Sequence, residues 1–298
     1  MKKVFIIDFM NIAFRNYHAF EKMKLQTKSG IPTGTLFGYA SFLVNLIKNE
    51  NPDYIAVAME SDESFRKDIL PSYKENRSGK PSDFEAELGN VIGMFRTLGI
   101  PLFKFRGMEA DDVIGILTKK FRADPNNEVF IVSGDKDFMQ LIDDKTKMYM
   151  PKSKGLYSIV GKEAVLEKFG CQPCQVIDIL ALMGDKVDCI PGVHGIGAKG
   201  AAKLIAEFGS IEKMYQDPVA LMKSTTKSQF NKLMDGEDDA FMSYKLATIV
   251  TDVNIDLDLE DMAFNPSIIE DPIFLGFCDT YELTSIKNKI FVNLNGID

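Results

Sequence analysis

Histidine, cysteine, excess positive charge and long apolar runs are all scarce in this sequence of 298 residues. No stretch approaches ~18 uninterrupted apolar residues, so no membrane-spanning helix is expected. The opening MKKVFIIDFMNIAF has the lysines and apolar run of a signal peptide. Asp8 and Asn11 interrupt that run, and no small-x-small cleavage site follows, so it reads as a buried strand. Only four cysteines occur, Cys171, Cys174, Cys189 and Cys278, a usage that suits a reducing, cytoplasmic setting. Cys171 and Cys174 have CxxC spacing. A zinc site would need two more ligands, and the only histidines are His18 and His194, so free thiols are expected. Basic residues number 35 against 43 acidic ones, for a net charge of -8. Taken alone, that balance argues against a phosphate-rich partner.

What remains is ordinary globular material: 45% apolar and 26% charged residues, enough for about two domain-sized units. Residues 1–161 alternate short apolar runs with helical periodicity. Strands are expected at Val4–Asp8, Tyr54–Met59, Leu102–Phe105 and Glu128–Ser133. Helices are expected at Thr35–Lys48, Phe84–Leu98 and Ala110–Phe121. This pattern predicts an α/β fold, a mainly parallel central sheet with helices on both faces. From 162 to 298 short helices separated by Gly and Pro predict a helical subdomain, and the acidic tail from Asp252 has no clear assignment. Within the first unit, Ser64–Ser82 carries five basic residues against two acidic ones. Its Pro, Gly and Ser content suggests a connection standing off the sheet edge.

The acids are placed unevenly. Asp8 ends the first strand, Glu109, Asp111 and Asp112 open a helix, and Asp135 and Asp137 follow the strand at Glu128–Ser133. Asp185 and Asp188 lie in MGDKVD. Singly, such acids complement helix dipoles, cap helices or sit in water. In a parallel sheet the first three groups converge on one edge, where they would repel strongly. All-oxygen donors without Cys or His suit Mg²⁺ or Mn²⁺, and several carboxylates could hold two ions.

The stretch PGVHGIGAKGAA, Pro191–Ala202, lets Gly195-Ile196-Gly197 turn sharply into a helix. The N–H groups of that helix start, with Lys199 and Lys203, suit a backbone phosphate and ignore base identity.

With EADDV at Glu109–Val113, GDKDFMQL at Gly134–Leu141 and MGDKVDCIPGVHGIGAKGA at Met183–Ala201, the chain resembles the 5′→3′ exonuclease/flap endonuclease family. That family includes the 5′-nuclease domain of bacterial DNA polymerase I and stand-alone phage and bacterial relatives. SFR…LPSYKENR, Ser64 to Arg77, resembles the approach to the family's helical arch. The resemblance implies a PIN-like nuclease core with an arch region at about 62–108. It also implies a helix–hairpin–helix at about 183–208 and a C-terminal segment that returns to the core. It further implies metal-dependent cleavage of DNA near 5′ ends or 5′ flaps, in primer removal, replication or repair. Asp8, Glu109, Asp111, Asp112 and Asp135 match a first metal cluster, and Asp137, Asp185 and Asp188 a second. Lys74 and Arg77 match contacts to the scissile phosphate, with Asp135 between the two clusters as a further catalytic residue. Tyr73 matches an aromatic near the terminal base, and Arg66 lies in the same DNA-binding stretch. Gly195, Ile196 and Gly197 match the hairpin, a site that can hold K⁺.

One departure stands out. The family usually has an aspartate at the end of the second strand, and here the sequence is Ala58-Met59-Glu60-Ser61-Asp62. Ungapped counting puts Met59 there, a one-residue gap puts Glu60 there, and a longer shift would offer Asp62; Glu60, with its longer side chain, is the expected ligand. A scaffold protein with a weakened metal site is the alternative, and a related ribonuclease is disfavoured by the glycine stretch. No polymerase-like segment follows, so a stand-alone, monomeric enzyme is expected, with RNA–DNA primers and a replicative polymerase as further partners. The eight secure cluster acids equal the net charge of -8, so the acidity reads as a demand for metal.

Overall fold

The computed structural model describes residues 1–77 and 79–292. Ser78 of the basic segment and residues 293–298 of the expected second unit lie outside the described residues. The sheet is built from β1 (Lys2–Asp8), β2 (Tyr54–Ala58), β3 (Leu102–Phe103), β4 (Asn127–Val132), β5 (Thr146–Pro151) and β6 (Tyr157–Val160). Their spatial order is β3-β2-β1-β4-β5-β6, parallel throughout except for the antiparallel β5–β6 pair. The expected strand at Leu102–Phe105 is shorter than its apolar run, and β5 and β6 had no clear sequence signal.

The inner strands are continuous apolar runs because both of their faces are covered. Phe5 and Ile7 face one cluster with Ile55, Val57, Phe130 and Val132, while Val4 and Ile6 face the other. Phe5 stacks on Phe130 with ring centroids 4.9 Å apart. Truncating so buried an aromatic would cost about 3–5 kcal/mol. The first face is closed by the helices Phe9–Phe20, Gly34–Glu50 and Ser82–Thr97 and by two C-terminal helices, Pro272–Thr280 and Thr284–Val292. Phe274, Cys278, Ile286 and Ile290 anchor that tail to the sheet cluster.

On the second face lies the helix Ala110–Arg122, whose Val113, Ile114 and Leu117 join the same cluster as Val176, Ile179, Leu182 and Leu204. The helical part therefore shares its core with the sheet, which holds the later acids against the earlier ones. Strand register sets the rest: Asp8 lies level with Ala58, and Ile7 with Val132. The ends of β1, β2 and β4 thus open on one edge, where open parallel sheets bind ligands. Among the described residues no helix is long and apolar enough to cross a membrane. All four cysteines are free; Cys171 is buried and Cys174 exposed.

Candidate active site

Asp8 ends β1 and caps the next helix, accepting from Asn11 N at 3.2 Å. Its other oxygen accepts from Ser133 Oγ at 2.8 Å, and that same Oγ accepts from Asp135 N at 3.0 Å. Ser133 therefore ties the ends of β1 and β4 together. Asp135 in turn caps the turn Lys136–Leu141, accepting from Asp137 N at 3.0 Å. The acids do double duty: they end strands, start helical turns and line the cleft.

Burial raises Asp8 to about 6, against hydrogen bonds from Ser133 and Asn11 that pull it down. Burial, then Asp8 and Asp135, lifts Asp111 well above the usual carboxylate range. Burial, then Asp135, raises Asp137 to about 7. Glu109 moves the other way: its burial is outweighed by Lys74 and Arg66, which hold it low. Asp8, Glu109, Asp111 and Asp135 are thus electrostatic neighbours, and Asp137 feels Asp135, Asp185 and Asp188.

Asp185 and Asp188 are held by a tight loop. Asp185 and Ile190 exchange backbone hydrogen bonds at 2.8 and 2.9 Å. Gly184 and Gly192 lie backbone against backbone at its base, both with positive φ; a Cβ on Gly192 would come 2.4 Å from Gly184 N. Only glycine permits that approach. Ser243 Oγ accepts from Gly192 N at 2.9 Å and fixes the loop to the helix Glu237–Ala247.

Basic side chains roof the acids. Lys74 Nζ lies 2.7 Å from Glu109 and 3.4 Å from Glu60. Arg77 donates to both oxygens of Asp188 at 2.7 and 2.8 Å. Lys74 holds a left-handed φ of 59°, and its backbone N donates to Asp188 O at 3.1 Å. Two cations therefore stand against one acid from each expected cluster. Glu60 turns toward Lys74, whereas Met59 packs with the apolar cluster beneath the sheet.

Two expected DNA-contacting side chains face inward. Tyr73 is 4% exposed and donates to Glu109 at 3.1 Å, so its ring is packed and not offered to a base. Arg66 is 2% exposed, and its guanidinium is bound to Asp112 and to main-chain carbonyls. The basic charge of the segment is spent partly inside the fold, which the sequence does not reveal. Asp112 is fully buried in that pair.

The glycine stretch lies between the helices Val176–Met183 and Ala198–Phe208. Gly195 has φ +80°, Ile196 is buried, and Gly197 precedes the second helix without a side-chain cap. Lys199 and Lys203 are exposed. Lys232 lies over Gly195, a cation from outside the motif.

Divalent ions fit this donor set. Glu109 Oε1 and Asp137 Oδ1 are buried without a hydrogen-bond partner, one in each acid group. Such orphaned oxygens are costly unless a cation meets them. Among the described residues, however, no three acids, thiols or imidazoles stand close enough to ligate one ion as placed. Lys74 and Arg77 instead pair with Glu109 and Asp188. Asn11, Ser133, Gln140 and Ser243 support the site but are ordinary polar residues without a sequence signal. Gln140 binds Asp137 O and Ala247 O at 2.9 and 3.1 Å and accepts from Ile249 N at 3.0 Å.

These features define a class: a mainly parallel α/β protein with an acid-lined cleft roofed by basic side chains. Comparison narrows the class. The family described as "5'-3' exonuclease, N-terminal resolvase-like domain" matches residues 3–170, and its "C-terminal SAM fold" companion matches 171–269. The chain belongs to the 5'-3' exonuclease family. DNA polymerase I of Synechocystis sp. is 36% identical over 268 residues, covering 86% of this chain and 27% of that protein. The chain thus spans about a quarter of that relative's length. A 5'-3' exonuclease of Aquifex aeolicus is 34% identical over 263 residues, covering 88% of this chain and 86% of the relative. Among solved structures, the T5 D15 protein co-crystallised with metal ions superposes with TM-score 0.69 at 23% identity, over 97% of this chain and 100% of its own. The catalytic core of Rad2 in complex with DNA gives 0.63 at 18% identity, over 98% and 93%. These two likenesses speak for the fold.

Proposed function

We propose that this chain is a divalent-metal-dependent 5′ nuclease that hydrolyses DNA phosphodiester bonds near 5′ ends or 5′ flaps. The observation that carries this reading is the orphaned pair of buried carboxylate oxygens, Glu109 Oε1 and Asp137 Oδ1, within an acid cleft roofed by Lys74 and Arg77. Asp8, Glu60, Glu109, Asp111 and Asp135 would hold one Mg²⁺ or Mn²⁺, and Asp135, Asp137, Asp185 and Asp188 a second. Bound there, the ions would supply an activated water and stabilise the leaving oxygen.

The chain's own residues do the rest. Lys74 and Arg77 leave Glu109 and Asp188 and turn to the scissile phosphate, whose charge they stabilise. Gly195–Gly197, Lys199 and Lys203 hold the duplex by its backbone, with K⁺ as a further ligand of that turn. Asn11 and Ser133 keep Asp8 aimed along the sheet edge. The domain division at 161/162, a monomeric state, a cytoplasmic setting, RNA–DNA primers and a polymerase partner belong to the same reading. Met59 at the end of β2 favours a second reading, a DNA-binding scaffold with a weakened site. Glu60 beside Lys74 supplies the charge Met59 lacks, which is why the enzyme is preferred. Cleavage of a 5′-flap substrate with Mg²⁺ or Mn²⁺ separates the two.

A further inference from the structure

The resemblance groups Asp112 with the metal ligands. We propose instead that Asp112 is a positioning residue that acts through Arg66, an inference that rests on the nuclease reading above. Its two oxygens are fully engaged. Oδ1 accepts from Arg66 Nη2 at 2.8 Å and from Val250 N at 2.9 Å. Oδ2 accepts from Arg66 Nη1 at 2.7 Å and from Glu109 N at 3.3 Å. A carboxylate offers about four lone-pair directions, and all are taken. Asp112 is 0% exposed, so no approach to it is left open. Glu109 and Asp137, by contrast, each keep a buried oxygen with no partner. The neighbours in the motif therefore differ in kind: Glu109 has capacity for an ion and Asp112 has none.

Arg66 is equally committed. Nε donates to Leu246 O at 2.8 Å and Nη2 to Thr248 O at 2.7 Å, while Nη1 lies 3.5 Å from Glu109 Oε2. The bidentate pair thus joins three pieces of chain. One is the foot of the basic segment, where Arg66 opens the short helix Arg66–Ile69 ahead of Tyr73, Lys74 and Arg77. The second is the start of the acid helix Ala110–Arg122. The third is the end of Glu237–Ala247, the helix whose Ser243 holds the Asp185–Asp188 loop. A planar guanidinium in a fixed fork suits this task, since it sets angles as well as distances. Through it, Asp112 fixes the Glu109 carboxylate and the root of the segment that carries Lys74.

A set of three variants of the full chain tests this, with Mn²⁺ binding by calorimetry and flap cleavage read together. The variants are Arg66→Met, Asp112→Asn and Arg66→Met/Asp112→Leu. The last replaces the pair by apolar groups, which guards against a buried unpaired charge that would unfold the chain. Expected is the same Mn²⁺ stoichiometry as the unsubstituted protein in all three. The double variant should have a Kd within about twofold of Arg66→Met, because both changes remove one interaction. With saturating Mn²⁺, KM for flap DNA should rise in all three. Loss of a bound ion in Asp112→Asn that Arg66→Met retains would overturn the inference. So would a further rise of about tenfold in Kd on adding the Asp112 change to Arg66→Met, since a residue that acts only through Arg66 has nothing left to lose once Arg66 is gone. Absence of Mn²⁺ binding by the unsubstituted protein would overturn the nuclease reading and this inference with it.

Discussion

Raising the pH of the chelated protein should destabilise it, and the acid cleft sets the size of the effect. Burial lifts Asp8 from 3.8 to about 6. Between those values the folded chain keeps a proton that the unfolded chain has released. The stabilising influence of that proton is full below the ordinary value and is lost as pH rises through the folded one. For Asp8 alone the loss is about 3 kcal/mol by pH 8. Asp137, raised to about 7, and Asp111, raised further by its neighbours, act in the same direction. Glu109 is lowered, so its contribution is already complete above its ordinary value of 4.5 and stays level over this window. About 1.4 kcal/mol of the Asp8 loss falls above pH 5, so at roughly 2 °C per kcal/mol for a chain this long Tm in chelator should fall by about 3 °C from pH 5 to 8 through Asp8, and further through Asp137 and Asp111. Saturating Mn²⁺ should recover much of that fall at pH 8, because the ion binds the ionised acids. The assay is a set of thermal melts at fixed ionic strength. A chelated Tm that is level or rising from pH 5 to 8 would refute the reasoning.

Other outcomes follow from the same contacts. Lys74→Ala removes the cation 2.7 Å from Glu109 and should cost about 2 kcal/mol in chelator, read by urea unfolding, while lowering kcat for flap DNA. A kcat equal to that of the unsubstituted protein would remove Lys74 from the scissile phosphate. Glu60→Gln should weaken Mn²⁺ binding measured by calorimetry, and Met59→Asp should change it little, because Met59 packs with the apolar cluster. The reverse ranking would give the ligand position to Met59.

The sheet was readable because β1, β2 and β4 are buried on both faces and so run as unbroken apolar segments. The strands β5 and β6 pair antiparallel at the edge, where TKMYMP and YSIV carry little contrast. The tail helices bury pairs four apart, Phe274 with Cys278 and Ile286 with Ile290, over only nine residues each, too short a run to mark a period. At the site, acids at strand ends were legible from their spacing alone. The direction of the basic side chains was not. Arg66 and Tyr73 read as surface groups of a charged loop, but Asp112 and Glu109 draw them inward. That inversion depends on contacts made by Leu246 and Thr248, some 180 residues away, which no local pattern encodes.

The most direct test of the central claim is cleavage of a 5′-labelled flap DNA by the unsubstituted chain and by Asp135→Ala. Both are assayed with Mg²⁺, with Mn²⁺ and with chelator, alongside a duplex-binding measurement. The account predicts release of the labelled 5′ product only with metal, its loss in Asp135→Ala, and duplex binding retained by that variant. Undiminished cleavage by Asp135→Ala or in chelator, or no cleavage by the unsubstituted chain with either metal, would contradict it.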